Sequence, residues 1–239
     1  MSVPGFAVRP QLSEDVARFV RKRIFDGTYG AGEYVRLDQL AAELGVSVTP
    51  VREALVELRA EGLLQQQPRR GFVVLPVTGR DLADVAGVQA HVGGELAARA
   101  ALAITDERLG ELTDIQSDLE RAYAAGDDDR AVRLNHEFHR AVNVAADSPK
   151  LAQLMSQITR YAPESVFPTI AGWPDRSIKD HRRVLAALRK HDAGLARKAM
   201  SDHLASGAAP LIDHLVEHGV VDEASRGDSR RRTALRTPG

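Results

Sequence analysis

From Ser13 onward the apolar residues recur at helical spacing. In SEDVARFVRKRIFDG, Val16, Phe19, Val20, Ile24 and Phe25 share one stripe. Ser13 stands where an N-cap belongs, and Gly27 ends the run. The turn-rich GTYGAGEYV leads into a short strand, and LDQLAAELG predicts a short second helix stopping at Gly45. Ser47 opens a third helix that runs to about Glu61–Gly62. In LLQQQPRRGFVVLPV the pattern changes to two short β segments joined by a Pro-Arg-Arg-Gly turn. After Pro76 no strand pattern returns. Amphipathic helices are expected over 79–103, 105–125, 127–146, 148–168, 175–191 and 192–219. In the first of these, Val85, Val88, Val92 and Leu96 keep helical spacing.

This change of character predicts a mainly α chain with a domain boundary near 76–80. Residues 1–10 read as a flexible lead-in, and 11–76 as a winged helix-turn-helix. Residues 77–220 read as a bundle of six to seven helices. The polar, basic 221–239 reads as a disordered tail. Composition agrees: 44% of residues are apolar but only 5% are aromatic, which favours helix over sheet. Without a cysteine, neither a disulfide framework nor a thiolate metal site is available. No segment has the length and apolarity of a membrane span, and the N-terminus does not read as a signal peptide. A cytoplasmic chain is the expectation. The net charge of −1 averages over the whole chain, so local patches matter more for nucleic acid.

One such patch surrounds GVSVTPVREAL, residues 45–55. Gly45 suits the end of the second helix, Ser47 suits a cap, and Pro50 sits in the first turn, where its missing N–H costs little. A helix that enters the major groove N-terminus first presents free amides and short polar side chains to phosphate. Arg52, one turn in, reaches guanine or phosphate, while Leu55 and Leu58 face inward. Arg69 and Arg70 at the hairpin turn stand where a wing touches the DNA backbone or minor groove. Each feature alone also describes an ordinary helix start or charged turn; their order and spacing together point to double-stranded DNA.

The block LDQLAAELGVSVTPVREALVELRAEGLLQQQPRRGFVV resembles the DNA-binding domain of the GntR family of bacterial transcription regulators over about residues 11–76. The resemblance implies Ser47, Thr49, Arg52 and Gly71 as DNA contacts. It also exposes a departure. Val48 stands where the family's frequent SRTPVREAL has arginine, which removes one contact and should shift or relax operator preference.

Seven of the eight histidines lie from His136 onward. Asn135 and His139 are four residues apart on one helix, and His181 and His203 fall on two others. Imidazoles from three helices can converge in a bundle, but spacing alone leaves them as ordinary surface or core histidines. The pattern FH, DHxxxLxAL and AxxxMxxHL resembles the FCD effector domain of the FadR-type branch, over about 81–208. In that family an aspartate and three histidines often hold a divalent ion. The resemblance implies His139, His181 and His203 as ligands, with Asn135 at the aspartate position. Zinc suits imidazole, with nickel or manganese as alternatives. A neutral asparagine binds an ion less strongly than aspartate and leaves more positive charge, which favours a small organic acid as effector. Arg160 is a further candidate for the effector pocket. His136 is expected to point away from the ligand face, His91, His191, His214 and His218 to be exposed, and Trp173 to be a packing anchor.

These readings describe a ligand-responsive regulator, acting as a repressor on a pseudo-palindromic operator through a homodimer. The alternative is a metal-dependent hydrolase with a three-histidine zinc site. It lacks H-E-x-x-H, and Glu137 points to a different face of the helix from His139. It also leaves the N-terminal module unexplained.

Overall fold

The computed structural model describes residues 10–161 and 163–222. The lead-in before Pro10 and nearly all of the expected tail lie outside them. The described residues divide into two compact units, 10–78 with Leu215–Asp222, and 79–214.

The first unit is a winged helix-turn-helix. It comprises α1 (Pro10–Phe25), β1 (Tyr34–Val35), α2 (Leu37–Leu44), α3 (Val48–Ala60), β2 (Leu64–Gln67) and β3 (Gly71–Val74). α1 begins at Pro10, so Ser13 lies inside it and is not its cap. Proline is tolerated there because first-turn amides have no intrahelical partner. The apolar stripe closes over a core of Val16, Val20, Ile24, Leu40, Leu55, Leu58, Leu64 and Phe72, all nearly inaccessible. Arg21 grips Glu61 bidentately at 2.7 and 3.1 Å, tying α1 to the end of α3 in a half-buried setting. α2 stops at Gly45, whose left-handed φ of 65° lets Val46 N–H reach back to Ala41.

The three strands form an antiparallel sheet in the order β1-β3-β2. Tyr34 pairs with Val73, and Gln65 with Val73 on its other side. At the tip, Arg70 N–H bonds Gln67 carbonyl at 3.1 Å, with Pro68 second and Arg69 third at φ 64°. That is the pattern of a type II turn, whose third residue favours glycine or asparagine. Gly71 follows at φ 100°, and a Cβ there would lie 2.8 Å from the Val35 carbonyl oxygen. Its residue type therefore follows from the close approach of β1, whatever else it contacts.

The second unit is an all-α bundle. It contains α4 (Gly79–Ala103), α5 (Asp106–Ala125), α6 (Asp128–Ala145), α7 (Pro149–Thr159), α8 (Trp173–Arg189), α9 (Ala193–Ser206) and α10 (Ala208–Glu217), the last running into the residues grouped with the first unit. Thr105, Asp127 and Asp192 accept from the third residue beyond them, the arrangement of N-caps. The core joins Leu96, Leu112, Phe138, Val142, Val184, Leu188 and Met200.

Three expectations change. The helix foreseen over 148–168 ends at Thr159, and a 3-10 helix (Glu164–Thr169) follows. Pro163, just before it, cannot donate an i→i−4 bond and clashes with the preceding turn. The helix foreseen over 192–219 divides at Gly207, where a Cβ would come within 3.1 Å of Trp173 and 3.3 Å of Phe167. Val88, expected on the inward face of α4, is 49% exposed; the buried face is carried by Leu82, Ala86, Gln89, Ala90, Gly93 and Gly94. The two glycines admit α9, since a Cβ on Gly93 would run into Leu204 and one on Gly94 into Ser201 Oγ. Among the described residues no helix is long and apolar enough to cross a membrane.

Gly71→Ala should lower stability by about 1–3 kcal/mol, through a left-handed β-carbon pressed on a carbonyl. Thermal unfolding of the variant measures it; an unchanged Tm would mean that β1 and β3 separate at no cost.

Candidate functional site

On the first unit, α3 has two sides. Val51, Ala54, Leu55 and Leu58 are buried. Thr49, Arg52 and Val56 form an exposed stripe at positions i, i+3 and i+7. Ser47 occupies the N-cap position with extended backbone and makes no cap hydrogen bond through its side chain. Ser47, Thr49 and Arg52 therefore share the exposed end of α3, and Arg69 and Arg70 are exposed on the hairpin tip. Val56, 39% exposed, belongs to the same stripe. Sequence reading gave it no role, because its residue type matches the buried positions around it.

In the second unit, α6, α8 and α9 bring His139, His181 and His203 together, with their ligating nitrogens within 4.8 Å of one another. His203 Nε2 lies 3.3 Å from both His181 Nε2 and His139 Nε2. Ligand atoms set tetrahedrally around zinc at ~2.0–2.1 Å stand roughly 3.3–3.4 Å apart, so two edges already match. Phe138 holds the cluster from below, stacked on His181 at 4.0 Å with an 8° interplanar angle. Burial first, then the neighbouring imidazoles, pushes His139 and His181 well below the usual imidazole range. Both are neutral near pH 7, the form that ligates metal.

Partners on the other ring nitrogens set the tautomers. Gln116 Oε1 lies 2.9 Å from His181 Nδ1. The amide is oriented by its own donation to Glu120 at 3.0 Å, and Glu120 is clamped by Arg182 at 2.6 and 2.9 Å. Burial alone would raise the Glu120 carboxyl, but the bonds from Arg182 and Gln116 outweigh it and hold it below its usual range. His181 Nδ1 therefore carries the proton, and its Nε2 lone pair faces the cluster.

His203 Nδ1 is buried without a hydrogen-bond partner, and Asp180 Oδ2 faces it at 3.7 Å. That His203 contact, helped by Arg183 and Arg176, holds the Asp180 carboxyl below its usual range. At this distance the contact is electrostatic and not a formed hydrogen bond. A carboxylate beside Nδ1 favours the proton there, which leaves a lone pair on His203 Nε2 as well. The Nε2 lone pairs of His181 and His203 then face one centre, an arrangement a cation satisfies. The donor set fits a divalent metal.

The cluster borders a cavity of about 300 Å³. Asn135, His139, Arg140 and Asn143 reach it from α6, and His203 from α9. Asn135 is half-buried there, on the same wall as His139. His136, expected to point away, is exposed but lines the cavity, because α6 runs along it broadside. Arg160 is not among the lining residues, although Thr159 and Tyr161 on either side of it are; the cation in the wall is Arg140. Trp173 is a buried anchor as expected, tilted against Phe167 at 4.5 Å, and it lines the cavity too. Of the other histidines, His91, His191 and His218 are exposed while His214 is half-buried; His191 Nδ1 also reaches the Ala101 carbonyl at 2.8 Å.

A winged helix-turn-helix joined to a helical domain with a ligand-sized cavity is the build of a transcription regulator governed by a small molecule. The FCD domain model matches residues 84–206, and the model described as "Bacterial regulatory proteins, gntR family" matches residues 12–74. The chain belongs to the gntR family, with an FCD effector-binding domain, and it is a regulator and not an enzyme. It is 28% identical to the probable D-xylose utilization operon transcriptional repressor of Paenarthrobacter nicotinovorans, over 90% of this chain and 94% of that one. It is 27% identical to the uncharacterized HTH-type transcriptional regulator YdhC of Bacillus subtilis, over 84% and 90% respectively. The solved structure of Escherichia coli McbR/YncC superposes with a TM-score of 0.70 at 24% identity, covering 85% of this chain and 98% of that one, a likeness of fold.

Gln116→Leu should cost about 1–3 kcal/mol by leaving a buried imidazole N–H unsatisfied. In metal-free protein, long-range proton–nitrogen spectra should report the Nδ1–H tautomer for His181, and the variant should lose that preference. An unchanged tautomer in Gln116→Leu would remove Gln116 from this role.

Proposed function

We propose that this chain is a repressor that binds a pseudo-palindromic operator as a homodimer and releases it when a small carboxylate enters the FCD cavity. The single observation that carries the reading is the three-imidazole cluster at the border of a cavity that also holds Arg140. His139, His181 and His203 would hold a divalent ion, with zinc the best match to imidazole and nickel or manganese as alternatives; Asn135 would supply a neutral fourth ligand. When bound, the ion would supply a Lewis-acidic anchor for a carboxylate oxygen. Arg140 adds positive charge to the same wall. The repressor sign is supported by the P. nicotinovorans relative, whose name describes a repressor.

On the DNA side, Ser47, Thr49 and Arg52 would meet the major groove, with Arg69 and Arg70 on the backbone or minor groove. Gly71 is better explained by its contact with Val35 than by DNA. A homodimer places two such modules on two half-sites, and ligand binding would shift the population able to span them. This work is done in the cytoplasm.

The test is selection of genomic fragments by the purified chain, followed by gel shifts on the recovered site. Arg52→Ala should weaken binding by about 1–3 kcal/mol and relax preference at one base position. Arg69→Gly relieves a left-handed residue, so it should weaken binding and flatten the salt dependence without lowering Tm. No preference for any fragment over random competitor would sink the DNA reading. In parallel, His139→Ala should abolish binding of one equivalent of zinc in calorimetry; retained stoichiometric binding would sink the metal reading.

A further inference from the structure

Resting on the reading that the cavity takes a carboxylate, we infer which acids it selects: monocarboxylates with an unsubstituted hydrocarbon body of up to about six carbons, in preference to hydroxylated acids. The cavity is sided. Its charged and amide groups come chiefly from one face of α6, through Asn135, His139, Arg140 and Asn143. The facing walls are apolar and come from five other elements: Leu82 and Val85 of α4, Met155 of α7, Phe167 of the 3-10 helix, Trp173 of α8 and Leu211 of α10.

Four polar side chains, Gln89, Ser156, Thr159 and Tyr161, also line the cavity, and two of them are already engaged. Gln89 Nε2 donates to the Ile158 carbonyl at 3.3 Å, and Thr159 Oγ1 donates to the Met155 carbonyl at 2.9 Å. A ligand hydroxyl turned toward Leu82, Met155 or Trp173 gives up its bonds to water and finds little in return. A methylene in the same place gains burial. At about 300 Å³ the cavity lies at the small end of ligand pockets, so the gain should end after a short chain. Head and body are thus recognised by different helices: the carboxylate by α6 and the imidazole cluster, the hydrocarbon by the opposite wall.

The test uses the full chain loaded with one equivalent of zinc and titrated calorimetrically with acetate, butyrate, hexanoate and gluconate. Hexanoate and gluconate share carbon number and head group and differ in their hydroxyls. Affinity should rise roughly fourfold per methylene from acetate to hexanoate, and hexanoate should bind at least about tenfold more tightly than gluconate. Val85→Thr, which changes one methyl of the apolar wall to hydroxyl at nearly constant volume, should weaken hexanoate several-fold and leave acetate unchanged, with Tm and zinc binding retained. Gluconate binding as tightly as hexanoate, or acetate and hexanoate binding equally, overturns this inference and leaves the carboxylate reading standing. Zinc binding with no heat from any of the four acids overturns both.

Discussion

The close crossing of α4 and α9 is the constraint on which the effector domain rests. Gly93 and Gly94 have no side chain to hold the helices apart, and Ser201 Oγ uses the proximity to donate to the Ala90 carbonyl at 2.7 Å. α9 thereby sets Met200 into the core and His203 beside the cavity. His181 is held by other means, stacked on Phe138 and bonded to Gln116. His139 follows Phe138 directly along α6. His181 is therefore placed by contacts of its own, and His203 by the crossing of α4 and α9.

Such a cluster is costly to bury unless each polar group has a partner. Here the partners are graded. His181 is fully provided for through Gln116, Glu120 and Arg182. His203 has Asp180 near but not bonded, and its Nδ1 stays orphaned. His203 is also the ring whose Nε2 lies 3.3 Å from both of the others.

Much of this was legible in the sequence. The boundaries of α2 and α3 and the hairpin follow from Gly45, Ser47, Pro50 and the Pro-Arg-Arg-Gly turn, which are local signals. The histidines were legible by family resemblance and not by spacing, because three imidazoles far apart in sequence carry no geometric label. Gln116 and Arg140 had no signal, since a glutamine or arginine on an amphipathic helix is ordinary until the fold says what faces it. The break after α7 did have one, in Pro163, and the division at Gly207 had another; the hydrophobic period ran through both and hid them. Val88 misled because α4 buries glycine and alanine where valine was expected.

Val56 leaves one further consequence. On the proposed recognition face it stands among a threonine and an arginine as a bare isopropyl group. Ionic attraction to phosphate fades as salt rises, whereas contact between that group and a thymine methyl does not. Part of the operator's identity would then be read through shape and hydrocarbon, and sequence discrimination would sharpen in concentrated electrolyte even as overall affinity fell.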